Sequence, residues 1–167
     1  DAKTAEVVFN STAGFNGTFN VITINGNLTS KGDVTANKIT VAGKSSLGAN
    51  VTTTGKQTYT GQATLTADVT MLAGTNTVIF SNGINSNPIF SLQIGDGTNK
   101  TNLEVTGTIN LNDITVYGRF EAKATTKITC SDFKCYGNST FRGNVDAASI
   151  NVSGETVIGE VTSLINT

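Results

Sequence analysis

The stretch Gly143-Asn-Val-Asp-Ala-Ala-Ser-Ile-Asn-Val-Ser-Gly154 decides the fold. Val145 and Ala147 form one apolar pair at spacing i, i+2, and Ile150 and Val152 form a second. Each pair reads as a short strand with one apolar face, and the two residues between the pairs as a corner. The frame recurs as Gly32, Val34, Ala36, Ile39, Val41, Gly43 and as Gly107, Ile109, Leu111, Ile114, Val116, Gly118. A further copy, with Thr126 in the first glycine place, continues through Ile128, Cys130, Phe133, Cys135 and Gly137. A weaker one precedes Gly32: Phe19, Ile22, Ile24 and Gly26 keep their places while Gly17 replaces an apolar residue.

Neighbouring copies start roughly 17 to 19 residues apart, and the long gap is close to four such steps, so one rung holds about 18 residues. No strand of this kind buries its apolar face without a like neighbour stacked on it. The expected fold is all-β, a single-stranded parallel β-helix (β-solenoid). About nine rungs would fill the chain and stand about 43 Å tall. An antiparallel β-sandwich is the alternative, because alternation alone fits it too.

Inward places hold Val, Ile, Leu, Ala, Phe or Cys, and small Ala36 and Ala147 alternate with large Ile39 and Ile150, as a narrow interior requires. The glycines at copy ends read as residues that permit corner dihedrals. The chain reads as one domain over residues 1–167. Within it, 1–14 is an N-terminal cap or exchanged strand, 75–102 an irregular loop-bearing region with Pro88, and 160–167 a C-terminal cap.

Of the 167 residues, 11 are Lys or Arg and 12 Asp or Glu; His is absent and the formal net charge is −1. Thr, Asn, Ser and Gly make up roughly half, so hydroxyls and amides supply solubility where ordinary domains use charge. No basic stripe offers itself to a phosphate backbone, and no apolar run approaches the roughly 20 residues of a membrane span. Nucleic acid and membrane insertion are therefore not expected. A composition rich in Thr and Asn and poor in Lys and Glu points to a secreted or cell-surface protein, and a start at Asp1 fits a processed N-terminus.

The open edges of the first and last rungs lead to the expected partner, another copy of the chain in a head-to-tail homopolymer. Val7, Val8 and Phe9 form the candidate assembly strand, and Val161, Leu164 and Ile165 the candidate C-terminal edge. Cys130 and Cys135 sit at inward places either side of a corner, either as a disulfide or as two buried thiols. The candidate catalytic carboxylates are Asp96, Asp113, Asp132, Asp146 and Glu121. Asp113 and Asp132 occupy equivalent corners about 5 Å apart, a retaining-pair separation. Since Lys38 and Ser149 fill that corner in other copies, the reading is a variable outward corner and no enzyme. No metal or cofactor is expected; Gly95-Asp96-Gly97-Thr98-Asn99 reads as a turn and lacks the repeated acidic ligands of calcium nonapeptides. Glycosylation sequons begin at Asn10, Asn16, Asn27, Asn50, Asn99, Asn138 and Asn151.

The stretch Asn50-Val-Thr-Thr-Thr-Gly-Lys-Gln-Thr-Tyr-Thr-Gly-Gln-Ala-Thr-Leu-Thr-Ala-Asp68, with Phe80-Ser-Asn-Gly-Ile84 and Leu103-Glu-Val-Thr-Gly107, resembles the Thr- and Gly-rich repeats of filamentous-haemagglutinin-like and autotransporter adhesins. That resemblance covers about half the chain and implies a right-handed β-solenoid on the bacterial surface, serving adhesion or matrix building. The 143–154 copy also resembles bactofilins, whose β-helices polymerise end to end without nucleotide. The expected function is a structural subunit of an extracellular or cell-surface filament. Alternatives are a monomeric adhesin that binds glycans or matrix through its middle loops, a bactofilin-like cytoskeletal polymer, a phage fibre segment and, last, a carbohydrate-active β-helix enzyme.

Overall fold

Period-2 alternation becomes an inside and an outside: along Val34–Val41 the apolar residues Val34, Ala36, Ile39 and Val41 are buried while Asn37 and Lys38 face solvent. In the computed structural model, which describes residues 6–9, 19–86 and 89–159, every strand pairing is parallel and no helix is found among the described residues. That is a β-solenoid, and parallel pairing throughout excludes the sandwich.

The coil has three walls. In wall 1 the inward stack runs Leu28, Ser45, Ala63, Ile84, Ile109, Ile128, Val145. Wall 2 stacks Val34, Val51, Met71, Ile94, Val116, Cys135 and Val152. Wall 3 stacks Ile24, Val41, Tyr59, Phe80, Val105, Ala122, Phe141 and Ile158, which makes eight turns. Seven steps of about 4.8 Å give a stack of about 34 Å. Within wall 3 the steps from Ile24 to Val41, from Val105 to Ala122 and from Phe141 to Ile158 are the shortest, and the step from Phe80 to Val105 is the longest. Fewer turns than nine are therefore described.

The repeat copies do not all stack on one another. Those from Gly107, Thr126 and Gly143 occupy walls 1 and 2, whereas the copy from Gly32 occupies walls 2 and 3. Leu28, not Val34, lies in the column of Ile109. Every wall carries the same inward-outward-inward signature, so the motif reads alike on any two consecutive sides. The weak copy does stack one turn below its model, Phe19 on Ala36 and Ile24 on Val41.

Most of the frame glycines serve packing rather than corner dihedrals. Positive φ occurs at Gly74, Gly83, Gly95 and Gly107, of which only Gly107 belongs to the frame. Gly26, Gly43 and Gly61 form one column and Gly118, Gly137 and Gly154 another. A Cβ on the upper members would overlap the carbonyl oxygen of the glycine one turn below. Corners approach so closely that only hydrogen fits between turns.

Asn and Asp supply the second corner device. Oδ1 of Asn27, Asp33, Asn50, Asp68, Asn102 and Asn138 accepts the N–H of Lys44, Asn50, Thr70, Ser91, Arg119 and Glu155 respectively, at 2.7–3.1 Å. Each ties a corner to the next turn where the strand ladder lapses.

The interior is mostly apolar, with Ser30, Ser45, Thr53, Gln57, Ser86, Thr101, Thr126 and Ser139 buried among the described residues. Phe120, Phe133 and Phe141 pack with centroids 4.8–5.3 Å apart, and Tyr59 stacks on Phe80 at 5.1 Å. Gln57, fully buried between Ile39 and Val78, donates from Nε2 to the carbonyls of Val51 and Leu72, and its Oε1 accepts from Tyr59 Oη. Burial raises the Tyr59 pKa, so its phenol stays protonated and donates.

Candidate functional site

Among the described residues Glu6–Phe9 and Phe19–Ile24 at one end, and Asn144–Val152 and Thr156–Ile158 at the other, are each paired along one edge only. In wall 3 the step from Ile24 to Val41 equals the step from Phe141 to Ile158, whereas in wall 1 the first step, from Val7 to Leu28, is longer. At the C-terminal end Ile158, in the inward column above Phe141, is 52% exposed and Val157 is 56% exposed. Ile150 and Val152, on wall 2 at the same end, are only half-buried.

Val7, Val8 and Phe9 lie in the strand that pairs with Leu28, Thr29 and Ser30 of the same chain, as the first strand of wall 1. Val161, Leu164 and Ile165 lie outside the described residues, as do Asn10 and Asn16. The 75–102 region keeps its strands in the stack and departs at the loop from Gly95 to Lys100. There Thr101, fully buried, accepts from Ala73 N–H and donates to Gly74 O, which moors the loop to the turn below.

The candidate carboxylates are engaged structurally. Asp113 and Asp132 are registered neighbours, as their spacing implies. Asp113 Oδ1 accepts Asp132 N–H at 3.3 Å, and Oδ2 accepts from Asn112 Nδ2 and Ser91 Oγ. Asp68, Ser91, Gln93, Asp113 and Thr115 line a shallow groove of about 240 Å³ on wall 2, with both acids already holding groups of the next turn. Asp96 accepts from the N–H of Thr98 and Asn99 and from the Asn99 amide. These bonds, the Asn99 backbone foremost, lower its pKa and make the loop an Asx turn. Asp146 is exposed.

Glu121 is the hub of an ion cluster on the outer face of wall 3. Lys123 Nζ lies 2.6 Å from its Oε1 and 3.4 Å from Glu104 Oε1 one turn below; Arg119 lies 2.8 Å from Oε2 and Arg142 3.5 Å from Oε1. Lys123 thus bridges two acids that parallel register sets side by side. Its hydrogen bond is the main cause that lowers the Glu121 pKa, and the same bond raises its own. With both oxygens bound, Glu121 is a structural anion.

Cys130 and Cys135 are free, buried thiols. They share the strand Lys127–Cys135 around a corner, and the arm from Ser131 to Cys135 alone spans about 13 Å. A disulfide needs Cα atoms within about 7 Å, so no bridge closes in this rung. Burial, then Asp113, Asp132 and Asp146, pushes the Cys130 pKa up to about 12.

The structure sorts the sequons. Asn27, Asn50 and Asn138 are exposed and use Oδ1 for their corner bonds, which a glycan on Nδ2 would leave intact. Asn99 instead spends Nδ2 on both oxygens of Asp96. Asn151 is exposed on wall 2. Among the described residues no cluster of His, Cys, Asp and Glu is arranged to hold a metal, and no helix is long and apolar enough to cross a membrane. No family model, curated protein or solved structure matches the chain.

Proposed function

We propose that the chain is a structural subunit of a filament at the cell surface or outside it, joined end to end through strand edges. The observation that carries this reading is the C-terminal end of the stack, where Val157 and Ile158 are exposed beside strands that, among the described residues, pair along one edge only. A copy stacked there would pair the open backbone groups and cover the apolar residues. Edges that avoid association carry charge, whereas Phe19–Ile24 has none, Glu6–Phe9 has only Glu6, and Asn144–Ile158 has only Asp146 and Glu155. The hydroxyl-rich walls leave lateral faces soluble while the ends associate.

Negative-stain electron microscopy of the full chain tests the proposal. Rods several subunits long are expected, reduced to single particles by the pair Val157→Lys and Ile158→Lys. Single rods of about 34 Å at high protein concentration, unaltered by that pair, overturn it.

A further inference from the structure

One column of side chains on the outer surface stops one turn short. Tyr117, Tyr136 and Ser153 each follow the last inward residue of wall 2, and their N–H groups bond to Ile94, Val116 and Cys135 one turn below. The two tyrosine rings stack face to face, centroids 4.7 Å apart and planes 20° apart. Lys100 Nζ lies over the Tyr117 ring at 5.7 Å. On the Tyr136 side the next member is Ser153, too short to cover a ring. Tyr136 is 49% exposed, and a hollow of about 110 Å³ opens there, lined by Lys134, Tyr136, Asn151 and Ser153. Lys134 and Asn151 are registered neighbours on the outer face of wall 2.

We infer that this hollow binds one ring of a neutral saccharide, stacked on Tyr136. A pyranose presents C–H groups on its face, which the negative face of an aromatic ring attracts, and hydroxyls around its edge. The amide of Asn151, the hydroxyl of Ser153 and the ammonium of Lys134 supply donors and acceptors at that edge. A nucleobase also stacks, but its phosphates require cations: Lys134 already faces Asp132 at 3.8 Å, and Lys100 stands at the Tyr117 end of the column. The place differs from the middle loops expected from the sequence. It lies on wall 2 at the last described turn, beside the end strand Asn144–Val152.

The test uses the full chain produced without glycosylation, titrated with cellohexaose, chitohexaose and mannohexaose and followed by amide NMR shifts and calorimetry. At least one of these binds saturably, moving the Tyr136, Asn151 and Ser153 amides. Tyr136→Ala, shown folded by circular dichroism, weakens it about tenfold or more, while Tyr136→Phe stays within about threefold. No saturable binding of any of the three below about 20 mM, equal binding by Tyr136→Ala, or tighter binding of an oligo-dT strand each overturns the assignment.

Discussion

Gly137→Ala probes the closeness of the corners. Its Cβ would overlap the Gly118 carbonyl oxygen and lie 2.7 Å from Gly118 C and 3.1 Å from Arg119 N, all backbone atoms of the turn below. No rotamer relieves such a contact; the corner must open by roughly 1 Å, straining the Tyr136 N–H to Val116 and Phe120 N–H to Asn138 bonds, both 2.9 Å. Overpacking costs about 1–3 kcal/mol, and weakening one backbone bond adds about 1 kcal/mol, so the expected loss is about 2–4 kcal/mol. Gly97→Ala is the control. No atom lies within 4 Å of its Cβ and its φ is not positive, so it leaves stability unchanged or raises it by up to about 1 kcal/mol. Urea unfolding followed by far-UV circular dichroism reads both. With a slope near 2 kcal/mol/M, Gly137→Ala lowers the midpoint by about 1–2 M. A midpoint equal to that of Gly97→Ala would refute the packing account of the glycine columns.

Three further outcomes follow from the interior and the ion cluster. Gln57→Leu removes the partner of two buried carbonyls and of Tyr59 Oη, and should cost about 2–4 kcal/mol in the same unfolding assay despite the added apolar volume; a neutral result would mean these groups find other partners. The folded pKa of Glu121 lies below its ordinary 4.5, so the cluster's contribution is complete above that value and is lost as pH falls through the lowered one. Lys123, raised from 10.5, keeps its contribution below that value and loses it as pH rises through the raised one. Thermal melts of Glu121→Gln against wild type should therefore show a gap at neutral pH that closes in acid; a gap independent of pH contradicts the assignment. Finally, with its thiol pushed up to about 12 and buried, native Cys130 should resist iodoacetamide at pH 8 and react once the chain is unfolded in urea. Rapid stoichiometric labelling of the native protein would show that the rung opens.

The turn length, the all-β class and the registered pair Asp113 and Asp132 were legible in the sequence because stacked turns repeat one constraint, apolar at i and i+2 with a corner beside it. The wall each copy occupies was not. Val34 and Ile109 carry the same local signature on different sides, and only the pairings tell the sides apart. From the sequence Asn27 and Asn138 read as sequon positions; their Oδ1 atoms tie one turn to the next, a role that depends on Lys44 and Glu155, each a full turn away.

What the sequence alone determined is a coil of short strands with an apolar inside, since period-2 burial is a local property of each strand. The tertiary structure alone decided that most frame glycines exclude a Cβ between turns, that Gln57 is held inside by its neighbours, that Cys130 and Cys135 lie apart, and that Tyr136 ends a column of rings. Each of these depends on which residue lies one turn above or below. The step from Ile24 to Val41 is much shorter than the step from Phe80 to Val105 in the same column, so that neighbour cannot be found by counting with a fixed period.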